Sequence, residues 1–217
     1  VKQQAPVVIV ASMFQIDPVV LISHPAEGLD RFEDLPKATA YIASEFFVSV
    51  WRWLKQDYGF RDEKVKPYGF NPAPFLADKK SMQQGLLTAE PYEIERKGGF
   101  KPNVFLLADY GYDSYSTTIE ARADMIAKNP DLVQRFVDAS IIGWYHYLYG
   151  DNASANAAID SGDTLTGGVG VMTDARMKSF FDKMSKAGVV SADLDYKRGY
   201  SLHFIGKKVG MELRPKP

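Results

Sequence analysis

The sequence predicts an α/β protein, and two observations carry that prediction. Short runs rich in β-branched residues alternate with helix-like segments up to about residue 108, and long amphipathic helices follow from Asn129. Apolar residues make up 46% of the 217 residues, which is enough for a substantial core. Strands that alternate with helices favour a mainly parallel sheet with covered faces.

Three strands and a helix are the first predicted elements. Residues 6–13, 18–23 and 39–43 are apolar runs bounded by turn-forming residues, as is typical of short buried strands. A helix follows the third run at once and is predicted to end at Gly59, since glycine readily takes the left-handed conformation there. Its apolar stripe has members at positions 46, 47, 50, 51, 54 and 58.

The later elements become increasingly helical. Residues 64–70 resemble a strand, and residues 75–84 predict a short helix. A long helix is predicted over residues 129–150, with Asn129 as its N-cap and proline directly after it. Its apolar stripe comprises Leu132, Val133, Phe136, Val137, Ile141, Trp144 and Leu148. A further helix is predicted to start at Thr173 and to stop at Gly188.

Composition excludes several classes of function. With 26 basic and 27 acidic residues, the chain has no strong attraction to nucleic acid. It has no cysteine, which excludes disulfides, thiol catalysis and cysteine-based metal sites. The histidines His24, His146 and His203 are too far apart in sequence for a local metal motif, and His146 falls on the polar side of its helix. We therefore expect no catalytic residue, no metal and no cofactor.

The junction at Ser44 and Glu45 is the strongest local indication of a binding site. A helix that starts directly after a strand leaves free backbone N–H groups at the end of the sheet. Ser44 either caps this helix or contacts a ligand, and the two roles are compatible. Glu45 would repel an anion, so the junction favours a ligand with N–H donors, with Phe46 and Trp51 either near its ring or in the core.

Two further stretches suggest cleft residues. Pro91 is expected to keep Glu90 extended and so to aim its carboxylate, although Glu90 could equally lie in a solvated turn. Asp109, Tyr110, Tyr112 and Tyr115 surround a glycine where the chain leaves a buried strand. Tyrosines in such a place commonly line a cleft, and an ordinary domain boundary is the alternative.

Several stretches together resemble one family. They are "MFQIDPVVLISHP", "QQGLLTAEPY", "ADYGYDSYSTT", "GVMTDARMKSFFDKMSKAGVV" and "LDYKRGYSLHFIGK". In this order they resemble the thiamine-pyrimidine-synthase-like solute-binding proteins of bacterial ABC importers. The resemblance implies a two-lobed periplasmic-binding-protein fold of type II, with part of the N-terminal lobe absent. Residues 1–34 and 110–217 would form one partial lobe and residues 35–109 the other, hinged around a ligand.

The resemblance also implies a set of ligand-binding residues and a cellular role. The residues are Phe14, Gln15, Ser44, Glu45, Phe70, Asn71, Glu90, Tyr110 and Tyr112. The implied role is that of a monomeric receptor, periplasmic or otherwise extracytoplasmic, with or without a lipid anchor. It would deliver a thiamine pyrimidine precursor, or a similar N–H-rich aromatic compound, to an ABC permease. Alternatives are a riboflavin or sulfonate receptor, a pyrimidine-synthesising enzyme, and a sensory domain that does not transport.

Overall fold

The structure, a computed structural model, describes residues 6–149 and 162–214 and confirms the α/β class. Its strands are β1 Val7–Phe14, β2 Val19–Ser23, β3 Thr39–Ile42, β4 Val65–Pro67, β5 Ser81–Leu86, β6 Asn103–Leu106 and β7 Ser116–Arg122. Its helices are α1 Val50–Tyr58, α2 Ala73–Ala77, α3 Glu90–Gly98, α4 Ala123–Lys128, α5 Pro130–Tyr149, α6 Thr164–Gly167 and α7 Asp174–Lys186.

Contacts divide the chain into two compact units. Unit 1 comprises residues 1–17, 113–181 and 193–217, and unit 2 comprises residues 18–112 and 182–192. These limits differ from the lobe limits proposed from the sequence, chiefly because β2 pairs with strands of unit 2. The division into lobes itself stays a prediction.

Unit 2 contains a five-stranded sheet in the order β4-β3-β5-β2-β6. Strands β4, β3 and β5 are mutually parallel, whereas β2 runs antiparallel to both β5 and β6. The expectation of a mainly parallel sheet is therefore wrong, and the sheet is mixed. Alternation along the chain does not encode the direction of β2, whose partners in β5 lie about 60 residues away.

The apolar core of unit 2 joins its helices to its sheet. One face of the sheet packs against α2 and α3 through the buried residues Val20, Ile22, Tyr41, Ala43, Tyr68, Phe75 and Ile94. On α1, the buried side chains are Val50, Trp51, Trp53 and Leu54. The predicted end at Gly59 is confirmed, because this residue is left-handed and its N–H donates to the Lys55 carbonyl.

The predicted helix over residues 75–84 is wrong. Helix α2 ends at Ala77, and Asp78 then forms a turn in which its carboxylate accepts the Lys80 N–H. Residues 81–85 are all buried as part of β5, with partners on both sides. Pairing with two neighbouring strands outweighs the modest helical preference of this stretch.

Unit 1 is organised around the antiparallel pair β1 and β7 and the long helix α5. The strand β7 was not predicted. The long helix was, but its buried stripe consists of Val133, Val137, Ile141, Tyr145 and Leu148. Leu132 and Phe136, predicted on the stripe, are 47% and 61% exposed. The predicted end of this helix at Gly150 lies outside the described residues.

Candidate functional site

The parallel strands of unit 2 end at one edge of its sheet, and several predicted residues follow these ends. Ser44 and Glu45 come directly after β3, and Tyr68 comes directly after β4, with its N–H donating to the Ile42 carbonyl at 3.0 Å. Glu90 follows β5 after a short turn. In open α/β sheets, ligands commonly bind outside the carboxyl ends of parallel strands.

At the end of β3, the chain enters a 3-10 helix, Ser44–Val48, rather than the predicted α-helix. Ala43, not Ser44, precedes this turn as its cap, and it makes no side-chain capping bond. The Ser44 hydroxyl instead donates to the Glu45 carboxylate at 3.3 Å, and both side chains are exposed. The interpretation of Ser44 as a helix cap is therefore wrong, and its hydroxyl lies at the surface of the sheet edge.

Glu90 is the first residue of α3, so the prediction that it is extended is wrong. Proline is well tolerated in the first turn of a helix, and Pro91 occupies that turn. The Glu90 carboxylate accepts the Leu86 N–H at 2.7 Å and the Tyr68 hydroxyl at 3.5 Å. A side chain on Gly85 would lie 2.8 Å from the Glu90 Cβ, so glycine is needed for this close approach.

Tyr68 belongs to this edge and was not singled out from the sequence. Its ring is buried, and its hydroxyl meets the Glu90 carboxylate. Burial raises the pKa of Tyr68 above its ordinary value, and the negative charge of Glu90 raises it further. Tyr68 is therefore a hydrogen-bond donor throughout the physiological pH range. The Pro-Tyr-Gly sequence inside the strand-like residues 64–70 was the available signal.

Phe70 and Asn71 follow Tyr68 and differ in environment. The Phe70 ring is 64% exposed, and its centroid is 5.3 Å from that of Tyr68. Phe70 has a positive φ of 58°, an uncommon conformation for a residue with a side chain. Asn71 accepts the Ala73 N–H through its side chain, so it stabilises the start of α2. An exposed ring beside Tyr68 is suited to stacking on a flat ligand.

Tyr110 and Tyr112 lie in a different aromatic cluster of unit 2. Tyr110 stacks on Phe32 with ring centroids 3.8 Å apart, and its carbonyl accepts the Tyr58 hydroxyl. Tyr112 is buried, with its ring centroid 5.2 Å from that of Trp53. The ligand-binding role of these two tyrosines stays a prediction.

In unit 1, Phe14 and Gln15 stand at the end of β1. The Phe14 ring meets Trp144 edge to face, with centroids 5.8 Å apart. Gln15 is fully buried, and its Nε2 donates to the Val171 carbonyl at 3.0 Å. Phe14 therefore packs against α5, whereas Gln15 is held by the segment that precedes α7.

Arg176, which no sequence pattern indicated, lies beside Gln15. The Arg176 guanidinium donates to the Gln15 carbonyl and, at 3.2 Å, to the Asp113 carbonyl. It also lies over the Tyr115 ring, 4.4 Å from the centroid. The Tyr115 hydroxyl donates to Asp163 at 2.8 Å and accepts the backbone N–H of residue 173 at 3.0 Å. Burial raises the pKa of Tyr115, so this phenol also stays protonated.

Two cavities in the described part of the chain do not coincide with these residues. One of about 330 Å³ lies in unit 1 between β7 and α5 and is apolar. Another of about 470 Å³ lies in unit 2 beside His24, whose ring stacks between Phe75 and Phe100. Within residues 6–149 and 162–214, no group of three or more His, Cys, Asp or Glu side chains is arranged to hold a metal ion.

A family comparison decides the classification. The profile of NMT1/THI5-like proteins matches residues 1–152, which is more than half of the chain. The chain belongs to the NMT1/THI5-like family. This confirms the family resemblance drawn from the motifs. In the described part of the chain, no helix has both the length and the apolar character needed to cross a membrane.

One curated relative is the riboflavin-binding protein RibY of Chloroflexus aurantiacus. It is 30% identical over 147 residues, which are 65% of this chain and 41% of the relative. The chain thus spans less than half the length of that protein.

Solved structures of the same fold include a binding protein and an enzyme. A periplasmic sulfonate-binding protein SsuA from Methylobacillus flagellatus KT aligns with a TM-score of 0.61 and 13% identity, over 94% of this chain and 68% of its own. A protein from Bordetella bronchiseptica RB50 aligns with a TM-score of 0.66 and 13% identity, over 97% of this chain and 76% of its own. The desulfurization enzyme DSZB aligns with a TM-score of 0.57 and 11% identity, over 92% of this chain and 78% of its own. These likenesses support the periplasmic-binding-protein fold.

Proposed function

We propose that the protein is a receptor that captures a small heterocycle bearing N–H donors and passes it to an ABC importer. Family membership supports the receptor class. The observation that carries the ligand class is the Glu90 carboxylate, which lies against the Tyr68 hydroxyl at the carboxyl edge of the parallel strands. Glu45 adds a second, exposed carboxylate after β3.

The chemistry of this edge favours donors over anions. An ionised carboxylate can only accept hydrogen bonds, and a bond to an N–H group is strengthened by its charge. A phosphate or sulfonate arriving at Glu45 or at Glu90 would meet like charge. The exposed Phe70 ring offers a flat face for stacking on an aromatic ring. A pyrimidine or a flavin combines a flat ring with N–H donors.

Flavins and thiamine pyrimidine precursors are the two ligand types we place first. The 30% identity to a riboflavin-binding protein favours the flavin. Sulfonates rank below both, because that likeness rests on fold at 13% identity. The proposal includes an extracytoplasmic location, a permease partner and a monomeric state. It does not include turnover of the solute.

Binding without chemical change is the test. The full chain is mixed with riboflavin, with 4-amino-5-hydroxymethyl-2-methylpyrimidine or with ethanesulfonate, and the melting temperature is measured. A true ligand at 100 times its Kd stabilises the folded state by about 2.7 kcal/mol. Mass spectrometry of the recovered solute checks that it is unaltered. An absence of any shift contradicts the receptor proposal, and conversion of the solute contradicts the non-enzymatic role.

A further inference from the structure

The large apolar side chains that unit 2 exposes are concentrated at one edge of its sheet. Among the described residues of that unit, five are at least 40% exposed: Val48, Phe70, Leu86, Leu87 and Tyr92. Single exposed leucines are normal on soluble proteins, but a group in one place commonly marks a binding surface. All five lie at or shortly after the carboxyl end of a parallel strand, the same edge that carries the two glutamates of the candidate site.

The order of these side chains along the edge follows from the order of the strands. Phe70 comes after β4, Val48 comes after β3, and Leu86 and Leu87 lie at the end of β5. The three strands are neighbours in the sheet, with β3 in the middle. Neighbouring strands are about 4.8 Å apart, so the ends of β4 and β5 are separated by roughly 10 Å. The apolar side chains therefore border a strip that is longer than a single six-membered ring.

The Glu90 carboxylate lies between these two strand ends. Its Oε1 accepts the hydroxyl of Tyr68, which follows β4, and its Oε2 accepts the backbone N–H of Leu86 in β5. Glu90 is half-buried, so part of its side chain still meets solvent. A solute whose N–H group binds this carboxylate extends over apolar side chains that are themselves exposed and that it reaches directly from solvent.

We infer that this edge selects a solute in which an apolar ring is fused to the ring system that carries the N–H donors. The inference rests on the proposed function. Glu90 accepts the donor, and the neighbouring aliphatic side chains remove the apolar ring from water. A single pyrimidine satisfies the carboxylate but leaves most of these side chains exposed. Val48, Leu86 and Leu87 are therefore the residues that determine specificity for the size of the ring system.

Lumichrome and lumazine form the decisive pair of probes. Both carry a pyrimidinedione ring with two N–H groups fused to a pyrazine, but only lumichrome has a further dimethylbenzene ring. The Kd of each is measured from its change in fluorescence on titration with the full chain, at a pH where both are neutral. One extra methylene in an apolar site changes affinity about tenfold or more, so we expect lumichrome to bind at least about tenfold more tightly than lumazine.

Substitutions at exposed positions separate this role from a structural one. Leu87→Asn, which keeps a branched side chain but makes it polar, is expected to lower the preference for lumichrome severalfold by raising the Kd of lumichrome alone. Leu87→Met, which stays apolar, should preserve the preference, and Val48→Thr should lower it because it introduces a hydroxyl. Leu132→Asn is the matched control, because Leu132 is 47% exposed against 45% for Leu87 but belongs to unit 1. It should leave the preference unchanged.

Each contrary outcome has a distinct meaning. Equal affinity for the two probes, or a preference that survives in the folded polar variants Leu87→Asn and Val48→Thr, overturns the inference and leaves the proposed function standing. Binding of 4-amino-5-hydroxymethyl-2-methylpyrimidine without either probe does the same. A dimer of the parent chain in analytical ultracentrifugation that Leu87→Asn dissociates would assign the apolar edge to a second copy and would also overturn the inference. Binding of no solute at all overturns the receptor proposal as well.

Discussion

Replacing Gly85 by alanine tests whether Glu90 is held against the sheet as the structure shows. The new Cβ would lie 2.8 Å from the Glu90 Cβ and 2.9 Å from the Ile22 Cδ1. The Ile22 side chain is fully buried, and the Glu90 Cβ is fixed to the first residue of α3, so neither atom can move freely. The substitution must therefore shift the start of α3 or distort the strand.

The magnitude follows from two opposing terms. Overpacking of a dense core costs about 1–3 kcal/mol. Replacing glycine returns about 0.4–1 kcal/mol through the lower entropy of the unfolded chain. The net destabilisation is about 1–2 kcal/mol, or about 2–8 °C in melting temperature for a chain of this size. Solute binding should weaken as well, because the shift moves the Glu90 carboxylate away from Tyr68 and the Leu86 N–H.

Gly69→Ala is the matched control for this experiment. Gly69 also belongs to unit 2, but a Cβ there meets nothing within 4 Å, and its backbone has no positive φ. We expect its melting temperature to stay the same or to rise slightly. Both variants are measured by thermal unfolding followed by circular dichroism. Equal melting temperatures for Gly85→Ala and Gly69→Ala would refute the close packing of Glu90 on β5.

Three further predictions concern unit 2. The raised pKa of Tyr68 favours the folded state only while the phenol is protonated, so this stabilisation is complete below about pH 10 and is lost as the pH rises further. In thermal melts between about pH 9 and pH 11, one unit either side of the ordinary tyrosine pKa, the melting temperature of Tyr68→Phe should therefore fall less steeply than that of the parent. An identical dependence of melting temperature on pH in the two proteins would contradict this. Asp62→Ala should lower the free energy of unfolding by about 1–3 kcal/mol, because it leaves the buried Trp51 indole N–H without its 2.8 Å acceptor. Urea unfolding followed by tryptophan fluorescence measures this, with Asp62→Asn, which keeps an acceptor, as the control; a midpoint equal to that control would count against the bond. Glu45→Gln should weaken binding of an N–H-bearing solute severalfold in calorimetry, whereas Glu33→Gln, an exposed carboxylate paired with an arginine, should not.

Much of the local structure was predictable because its determinants are local. The left-handed conformation of Gly59 and the buried run of β2 follow from residue type and short-range pattern. The same is true of α5, which begins at Pro130 directly after Asn129. The order of the quoted motifs also predicted the family, and the family match over residues 1–152 confirmed it.

What could not be predicted depends on distant partners. The strand β7 has a weak apolar pattern and forms because β1, more than 100 residues earlier, pairs with it. The helical start of α3 at Glu90 depends on the carboxylate reaching back to the Leu86 N–H. Arg176 lies inside one of the quoted motifs, but its acceptors are backbone carbonyls, which have no signature in the sequence.

The candidate site was predicted only in part, for the same reason. Ser44, Glu45 and Glu90 were recognised because they follow apolar runs, and the structure places them after parallel strands. Tyr68 was missed because only the fold brings its hydroxyl to Glu90. The place of Tyr110 beside a glycine predicts a cleft residue, whereas in the structure its ring stacks on Phe32.

The most direct test of the central claim is calorimetric titration of the full chain with riboflavin and with the thiamine pyrimidine, followed by mass spectrometry of the recovered solute. A receptor for N–H-bearing heterocycles is expected to bind at least one of them with one solute per chain, to bind more weakly after Glu90→Gln, and to release the solute unchanged. Heat of binding for neither heterocycle, or a solute that returns chemically altered, would contradict the account.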